Sequence, residues 1–243
     1  MNRHRLLAGG VILCLASLSV LSACSSSDSA DASGIDVATQ GVDGLLAASS
    51  AAMADIDTVR FTISHEGVEV FIDDAGLIAF NEAVGRYASP SSADALVAVS
   101  ALGIATEIGA VAIEGEVWIT NPLTSAWESA PDAFAFDPAR IFDPDVGLSS
   151  LLVNGLTSPE LISDDPDSDG NYHIQAGVDG GLVSELTSGL VDDVSNVDVW
   201  IDAETSLVAA VSFDVDTTAG NTNWLLTLAD YGTDVSISKP DLG

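Results

Sequence analysis

Three stretches of the chain alternate apolar and polar residues with a period of two. Val59, Phe61 and Ile63 alternate with Arg60, Thr62 and Ser64. Val197, Val199 and Ile201 alternate with Asn196, Asp198, Trp200 and Asp202. Ala209, Val211, Phe213 and Val215 alternate with Ala210, Ser212, Asp214 and Asp216. Side chains of a strand point to opposite faces in turn, so each stretch reads as a strand with one apolar and one wet face. That pattern favours antiparallel sheet, because parallel strands tend to be apolar on both faces. Residues 95–104 and 108–119 read as two further strands. They are more continuously apolar, so both their faces are expected to be covered. Residues 172–176 and 223–237 supply the remaining strands.

Helical spacing appears in three other places. Leu45, Leu46, Ser49, Ala52, Met53 and Ile56 form one stripe, with Asp43 as its N-cap. Val146, Leu148, Leu151 and Leu152 fall on one side of 145–153. Leu182, Val183, Leu186, Leu190 and Val194 do the same in 182–194. A sheet with one wet face needs apolar cover on the other, and these helices can supply it. The fold class is therefore α+β.

The first residues describe an export signal. Met1-Asn2-Arg3-His4-Arg5 is a short basic head, and Leu6 to Leu21 is almost wholly apolar but short for a membrane span. Leu21-Ser22-Ala23 then precedes Cys24, an arrangement that resembles the lipobox of bacterial lipoproteins. The resemblance implies cleavage before Cys24 and lipidation of its thiol, with several acyl chains making the anchor stable. Residues 1–23 are read as the signal peptide and 24–41, rich in Ser, Asp, Ala and Gly, as a flexible tether. Residues 42–243 form a single domain. Cys14 lies in the leader, so the mature chain has no second cysteine for a disulfide, and packing must stabilise it.

The balance of charge excludes some partners. Arg3 and Arg5 leave with the leader, so the mature chain keeps Arg60, Arg86, Arg140 and Lys239 against all 37 acidic residues. Such a surface repels nucleic acid and anionic headgroups. Enzyme signatures are sparse: no nucleophile elbow, phosphate loop or paired-histidine zinc motif occurs, and the chain is read as no enzyme and as needing no cofactor. One acidic cluster carries a possible metal site. Asp165, Asp167 and Asp169 stand at positions 1, 3 and 5 of a calcium loop, with Gly170 at 6. Position 12 is Ala176 rather than glutamate, and Tyr172-His173-Ile174-Gln175 reads as strand. The segment is thus either an acidic hairpin turn or a weak calcium site.

The later chain carries longer motifs. Phe136 to Leu148 (FDPARIFDPDVGL), Val199 to Thr205 (VWIDAET), and Leu226 to Gly232 (LTLADYG) followed by Val235 to Pro240 (VSISKP) stand in order behind the helix leading into Val59-Arg60-Phe61-Thr62-Ile63. Together with the lipobox, this is similar to the LppX/LprA/LprF/LprG family of actinobacterial lipoproteins. The resemblance implies a strongly curved antiparallel sheet, a half-barrel, with helices on its concave face enclosing an apolar cavity. It also implies a carrier of acylated lipids or glycolipids toward the outer envelope, anchored on the plasma membrane and facing the periplasm or cell wall. A membrane lipid exporter would be a partner. The cavity wall is then expected on Val59, Phe61, Ile63, Val97, Val99, Val111, Ile113, Phe142, Val199 and Leu226. Small residues at Ala95, Ala98, Ala101, Gly103, Gly109, Ala110 and Ala112 favour a void, and Trp118, Trp127 and Phe142 are candidates for its mouth. Only Arg60, Arg86 and Arg140 are available within the domain to hold an anionic headgroup, so a neutral glycolipid or wax-like lipid fits more easily. The alternative is a non-catalytic envelope scaffold with a filled core, linked to calcium through its acidic turn.

Overall fold

The computed structural model describes residues 37–242 except 74, 102, 123, 132–136, 188–190, 192, 193 and 218. Cys24 and the whole leader therefore lie outside the described residues. The first element is helix α1 (Val37–Ala54), interrupted at Gly41, whose φ of 68° and ψ of −174° are not helical. The helical backbone thus starts before residue 42, and its regular part starts there. The expected stripe is the buried one: Leu45, Leu46, Ser49 and Met53 are all inside. Two of the principal neighbours of α1 are α2 (Leu148–Ser150) and a π turn, Leu151–Gly155.

Twelve strands among the described residues form one antiparallel sheet. They are β1 (Thr58–Gly67), β2 (Val70–Phe71), β3 (Ile78–Ala88), β4 (Ser92–Ala101), β5 (Ile104–Ile113), β6 (Glu116–Thr120) and β7 (Trp127–Ser129), then β8 (Leu156–Leu161), β9 (Asn171–Val178), β10 (Asn196–Asp202), β11 (Val208–Thr217) and β12 (Gly220–Ala229). The order across the sheet is β7-β6-β5-β4-β3-β1-β12-β11-β10-β9-β8, with β2 paired on β3. Two meanders are thus joined where β12 pairs with β1, and the sheet is not closed. Helix α3 (Gly180–Leu186) lies between β9 and β10.

Three departures from the expected elements have local causes. The apolar run 108–119 is two strands, folded at Glu114 (φ 53°) and Gly115 (φ 82°), a two-residue hairpin of the kind that follows the strand twist. Residues 145–153 are not one helix. Asp137 caps a 3-10 turn at Pro138–Phe142 by accepting the Ala139 N–H at 2.9 Å, and the short α2 and π turn follow. Strand β12 ends at Ala229, and 233–242 has no regular structure. Strand β3, with its mixed polar and apolar residues, has no counterpart in the expected list.

The link from β7 to β8 must pass from one edge of the sheet to the other. It does so across one face: the 3-10 turn contacts β3, β4 and β5, and Pro138, Ala139, Ile141 and Phe142 are buried there. Cross-strand registers define that inner face. Phe61 stands opposite Gly85 and Leu228, Ile63 opposite Ala83 and Leu226, and Val97 opposite Ala83 and Ile108.

Candidate functional site: an apolar cavity on the inner face

The inner face does not fill completely. A cavity of about 420 Å³ lies between it and the segments that cross it, within the range of small-molecule pockets. The sheet contributes Phe61, Ile63, Ala83, Ala95, Val97, Ile108 and Ala110 to its wall, and Val197, Val211 and Leu226 from the second meander. The crossing segment contributes Pro138, Ile141, Leu148 and Leu151, while α3 contributes Val183 and Leu186. Val117 of β6 and Val178 of β9 line this one space although eight strand spacings separate their strands. A flat sheet would hold them ~38 Å apart, so the sheet curls around the cavity.

The wall is almost without polarity. Thr187 is the hydroxyl among the described lining residues, and its Oγ1 is already used: it donates to the Val183 carbonyl at 2.9 Å and accepts the Val191 N–H at 3.1 Å. No charged side chain is among the described lining residues. The described lining residues offer no group for acid–base or nucleophilic chemistry. The space can hold hydrocarbon, at ~0.8 kcal/mol for each methylene removed from water.

One end of the cavity is aromatic. Phe80 and Trp224 stack with centroids 5.5 Å apart, and Phe213 lies 6.4 Å from Trp224. His65 packs on both Phe80 and Trp224, at 5.8 and 5.4 Å. Its Nε2 is 2.9 Å from the Phe80 carbonyl, which assigns that nitrogen as the donor. Nδ1 is then a buried acceptor without a partner among the described residues. Alternation alone places His65 on the inner face, but only the fold brings its ring to the aromatic end.

The expected wall residues divide into three groups. Phe61, Ile63, Val97 and Leu226 line the cavity. Val59, Val99 and Val199 are buried in the surrounding core, as is Phe142, which packs against Tyr87 at 4.5 Å and Phe61 at 6.1 Å. Val111 and Ile113 sit on the other face of β5, because the residues that pair inward there are Ile108, Ala110 and Ala112. A shift of one residue in a strand exchanges its faces, and the continuous apolar run 108–113 conceals the phase. Ala95 and Ala110 do line the space, as their small size suggested.

The other proposed positions fall outside the cavity. Trp118 is buried under Lys239, whose Nζ lies 4.4 Å from the ring centroid. Trp127 covers Gly109 on the outer face and borders a depression of about 320 Å³ with Arg60, Arg86, Val84 and Leu96. Each arginine faces a carboxylate: Arg60 with Asp230 at 3.0 Å, Arg86 with Asp94, and Arg140 with Glu185 at 3.9 Å. In the acidic turn, the Asp167 carboxylate accepts the N–H groups of Asp169 and Asn171 at 2.9 and 3.0 Å. Gly170 supplies φ of 86°. Asp165, Asp167 and Asp169 do not converge, and no group of three or more metal-ligating side chains occurs among the described residues. No helix among the described residues is long and apolar enough to cross a membrane.

The sequence and fold have known counterparts. The model of the LppX_LprAFG lipoprotein family matches residues 42–237. LprF from Mycobacterium bovis superposes with a TM-score of 0.62 at 16% identity, covering 82% of this chain and 96% of that one. Lipoprotein LppX from Mycobacterium tuberculosis superposes with a TM-score of 0.57 at 13% identity, covering 81% and 98%. At these identities the two structures speak for the fold. No curated protein matches the sequence.

Proposed function

The chain belongs to the LppX_LprAFG lipoprotein family, and from that premise we propose that it carries an acylated lipid or glycolipid in its inner cavity, from the plasma membrane toward the outer envelope. The observation that carries the reading is the cavity itself: about 420 Å³, apolar on all described sides, and with no titratable group among its described lining residues. Tails would hold the ligand, and the headgroup would stay outside. The pairing of Arg60, Arg86 and Arg140 with carboxylates leaves no free cation among them for an anionic headgroup, which favours a neutral one. Cys24 would be the lipidated first residue of the mature chain, tethering the domain to the outer leaflet of the plasma membrane and facing the periplasm or cell wall. Carriage needs no chemical step, so no catalytic residue is assigned. A membrane lipid exporter would load or unload it.

Native mass spectrometry on the chain carrying Cys24→Ser, made in an actinobacterial host and purified without detergent, tests the reading. Adducts that extract into organic solvent as acylated lipids are the expected result. A clean apo mass, unchanged after incubation with envelope lipid extract, would replace the carrier by a scaffold.

A further inference from the structure

Six of the residues that line the cavity form one unbroken row across the sheet. Ile108 stands opposite Val97, Val97 opposite Ala83, Ala83 opposite Ile63, Ile63 opposite Leu226, and Leu226 opposite Val211. The row runs across the strands, from β5 through β4, β3, β1 and β12 to β11. Its next cross-strand partner, Val199, is buried in the core and does not line the cavity, so the row stops there. Five strand spacings, ~24 Å along the curl, separate its ends.

The row is the floor of a narrow trough. Successive inward positions on a strand are ~7 Å apart, and rings stand at that distance on both sides of the row. Phe61 flanks Ile63 on one side, where Phe142 of the crossing turn packs against Phe61 and Tyr87 at 6.1 and 4.5 Å. On the other side Trp224 flanks Leu226 and Phe213 flanks Val211, with Phe80 stacked on Trp224 at 5.5 Å. The volume agrees with a single lane. A methylene fills about as much space as a water molecule, ~30 Å³, so a cavity of about 420 Å³ takes ~14 of them. The ~24 Å of the row exceeds the ~15 Å that one lipid tail spans in half a bilayer core. One tail has the length it needs, and two side by side lack the room.

We propose that the cargo is a monoacyl lipid, whose one chain of about fourteen carbons lies along Ile108, Val97, Ala83, Ile63, Leu226 and Val211. The inference rests on the carrier reading above and narrows its cargo. The physical reason is the fate of a second tail. A tail left outside the cavity stays in water while the protein carries the lipid, and each of its methylenes forfeits about fourfold in affinity. A monoacyl lipid leaves only its polar head outside. The wall offers that head nothing, because the Thr187 hydroxyl already bonds the Val183 carbonyl and the Val191 N–H.

The test uses the delipidated chain carrying Cys24→Ser and a series of lysophosphatidylcholines of about ten to about twenty carbons. Each is kept below its critical micelle concentration and displaces a fluorescent fatty acid. Kd is expected to fall about fourfold per added carbon up to about fourteen and then to level off. Didecanoylphosphatidylcholine, with two ten-carbon tails, should bind within a few-fold of the ten-carbon lysolipid. Ala83→Leu blocks the middle of the row and should move the levelling point down by about three carbons, the number that leucine adds. The wild-type series decides the matter by itself, whether or not the variant folds. A gain in affinity that continues to about eighteen carbons would overturn the single chain, as would a two-tailed lipid binding about tenfold or more tightly than its ten-carbon lysolipid. An unmoved levelling point in folded Ala83→Leu would overturn the placement of the chain on this row. If the wild type binds neither the fatty acid nor any lysolipid, the carrier reading itself fails, a result distinct from any of these.

Discussion

Phe61 occupies the space above Gly85, its cross-strand partner: a Cβ built at residue 85 would overlap both the Phe61 ring and the Asp94 backbone carbonyl. The glycine is what lets this ring lie flat on β3 and form cavity wall. Backbone cannot yield as a flexible side chain can. Gly85→Ala is therefore expected to cost ~1–3 kcal/mol through overpacking, seen as a lower urea midpoint at unchanged slope. A variant as stable as wild type would show that the ring has room elsewhere.

Val97 tests the cavity from the neighbouring strand. It lies between Ala83 and Ile108, both wall residues. Val97→Trp is expected to fill the space and abolish loading of a fluorescent fatty acid, with a stability loss of no more than ~3 kcal/mol. Leu96→Trp is the control, because Leu96 is 49% exposed on the other face. It should load normally. Loss of loading in both variants, or in neither, would count against this wall assignment.

Ser49 is a buried misfit. It is 0% exposed on the inward stripe of α1, and its Oγ has no partner among the described residues. A buried hydroxyl without a hydrogen bond costs ~1–3 kcal/mol, and alanine also suits a helix better. Ser49→Ala should raise the unfolding free energy by about 1 kcal/mol in urea titration. A loss of stability would reveal a partner for the hydroxyl.

Two carboxylates give pH dependences of opposite sign. Burial raises the Asp137 carboxyl above the usual range, outweighing the Ala139 N–H and Arg140. Its folded-state value is above the unfolded one. Its contribution is therefore present at low pH and lost as pH rises through the folded value. Asp202 is the reverse case. Burial works to raise it, but the Thr205 hydroxyl and the N–H groups of Thr205 and Glu204 prevail and hold it low. Its contribution is present above the unfolded value and lost as pH falls through the folded one. Relative to wild type, Asp137→Asn should be more favourable at about pH 7 than at about pH 3, and Asp202→Asn less favourable. Urea midpoints of the three proteins at both pH values check the signs. Parallel shifts in the two variants would refute the assignment.

Much of the framework was legible because alternation is a local signal. The inner residues of β1 and β10 follow directly from the period of two at 59–63 and 197–201, and those of β11 from 211 to 215, while a bulge opposite Trp200 and Ile201 turns Val208 rather than Ala209 inward. The buried stripe of α1 follows from its helical spacing. Of the expected wall, Phe61, Ile63, Val97 and Leu226 lie at the cavity, Val59, Val99, Val199 and Phe142 are buried around it, and Val111 and Ile113 are on the other face. On β5 both faces carry apolar residues, so nothing in the run reveals its phase. Strand β3 escaped notice because a bulge between Phe80 and Glu82 breaks the alternation, so that Phe80 and Ala83 share the inner face three residues apart.

By itself, then, the sequence determined the class of sheet, the inward side of its cleanly alternating strands, the acidic surface and the family. Each depends on neighbours a few residues apart or on the sum of side chains. Tertiary structure decided where space remains. The cavity exists because Ala83, Ala95 and Ala110 face a connection that must cross the sheet between its two edges. Likewise, Val117 of β6 and Val178 of β9 come to line one space only because the sheet between them curls. Such facts belong to pairs of residues distant in the chain, and the local pattern of either segment does not contain them.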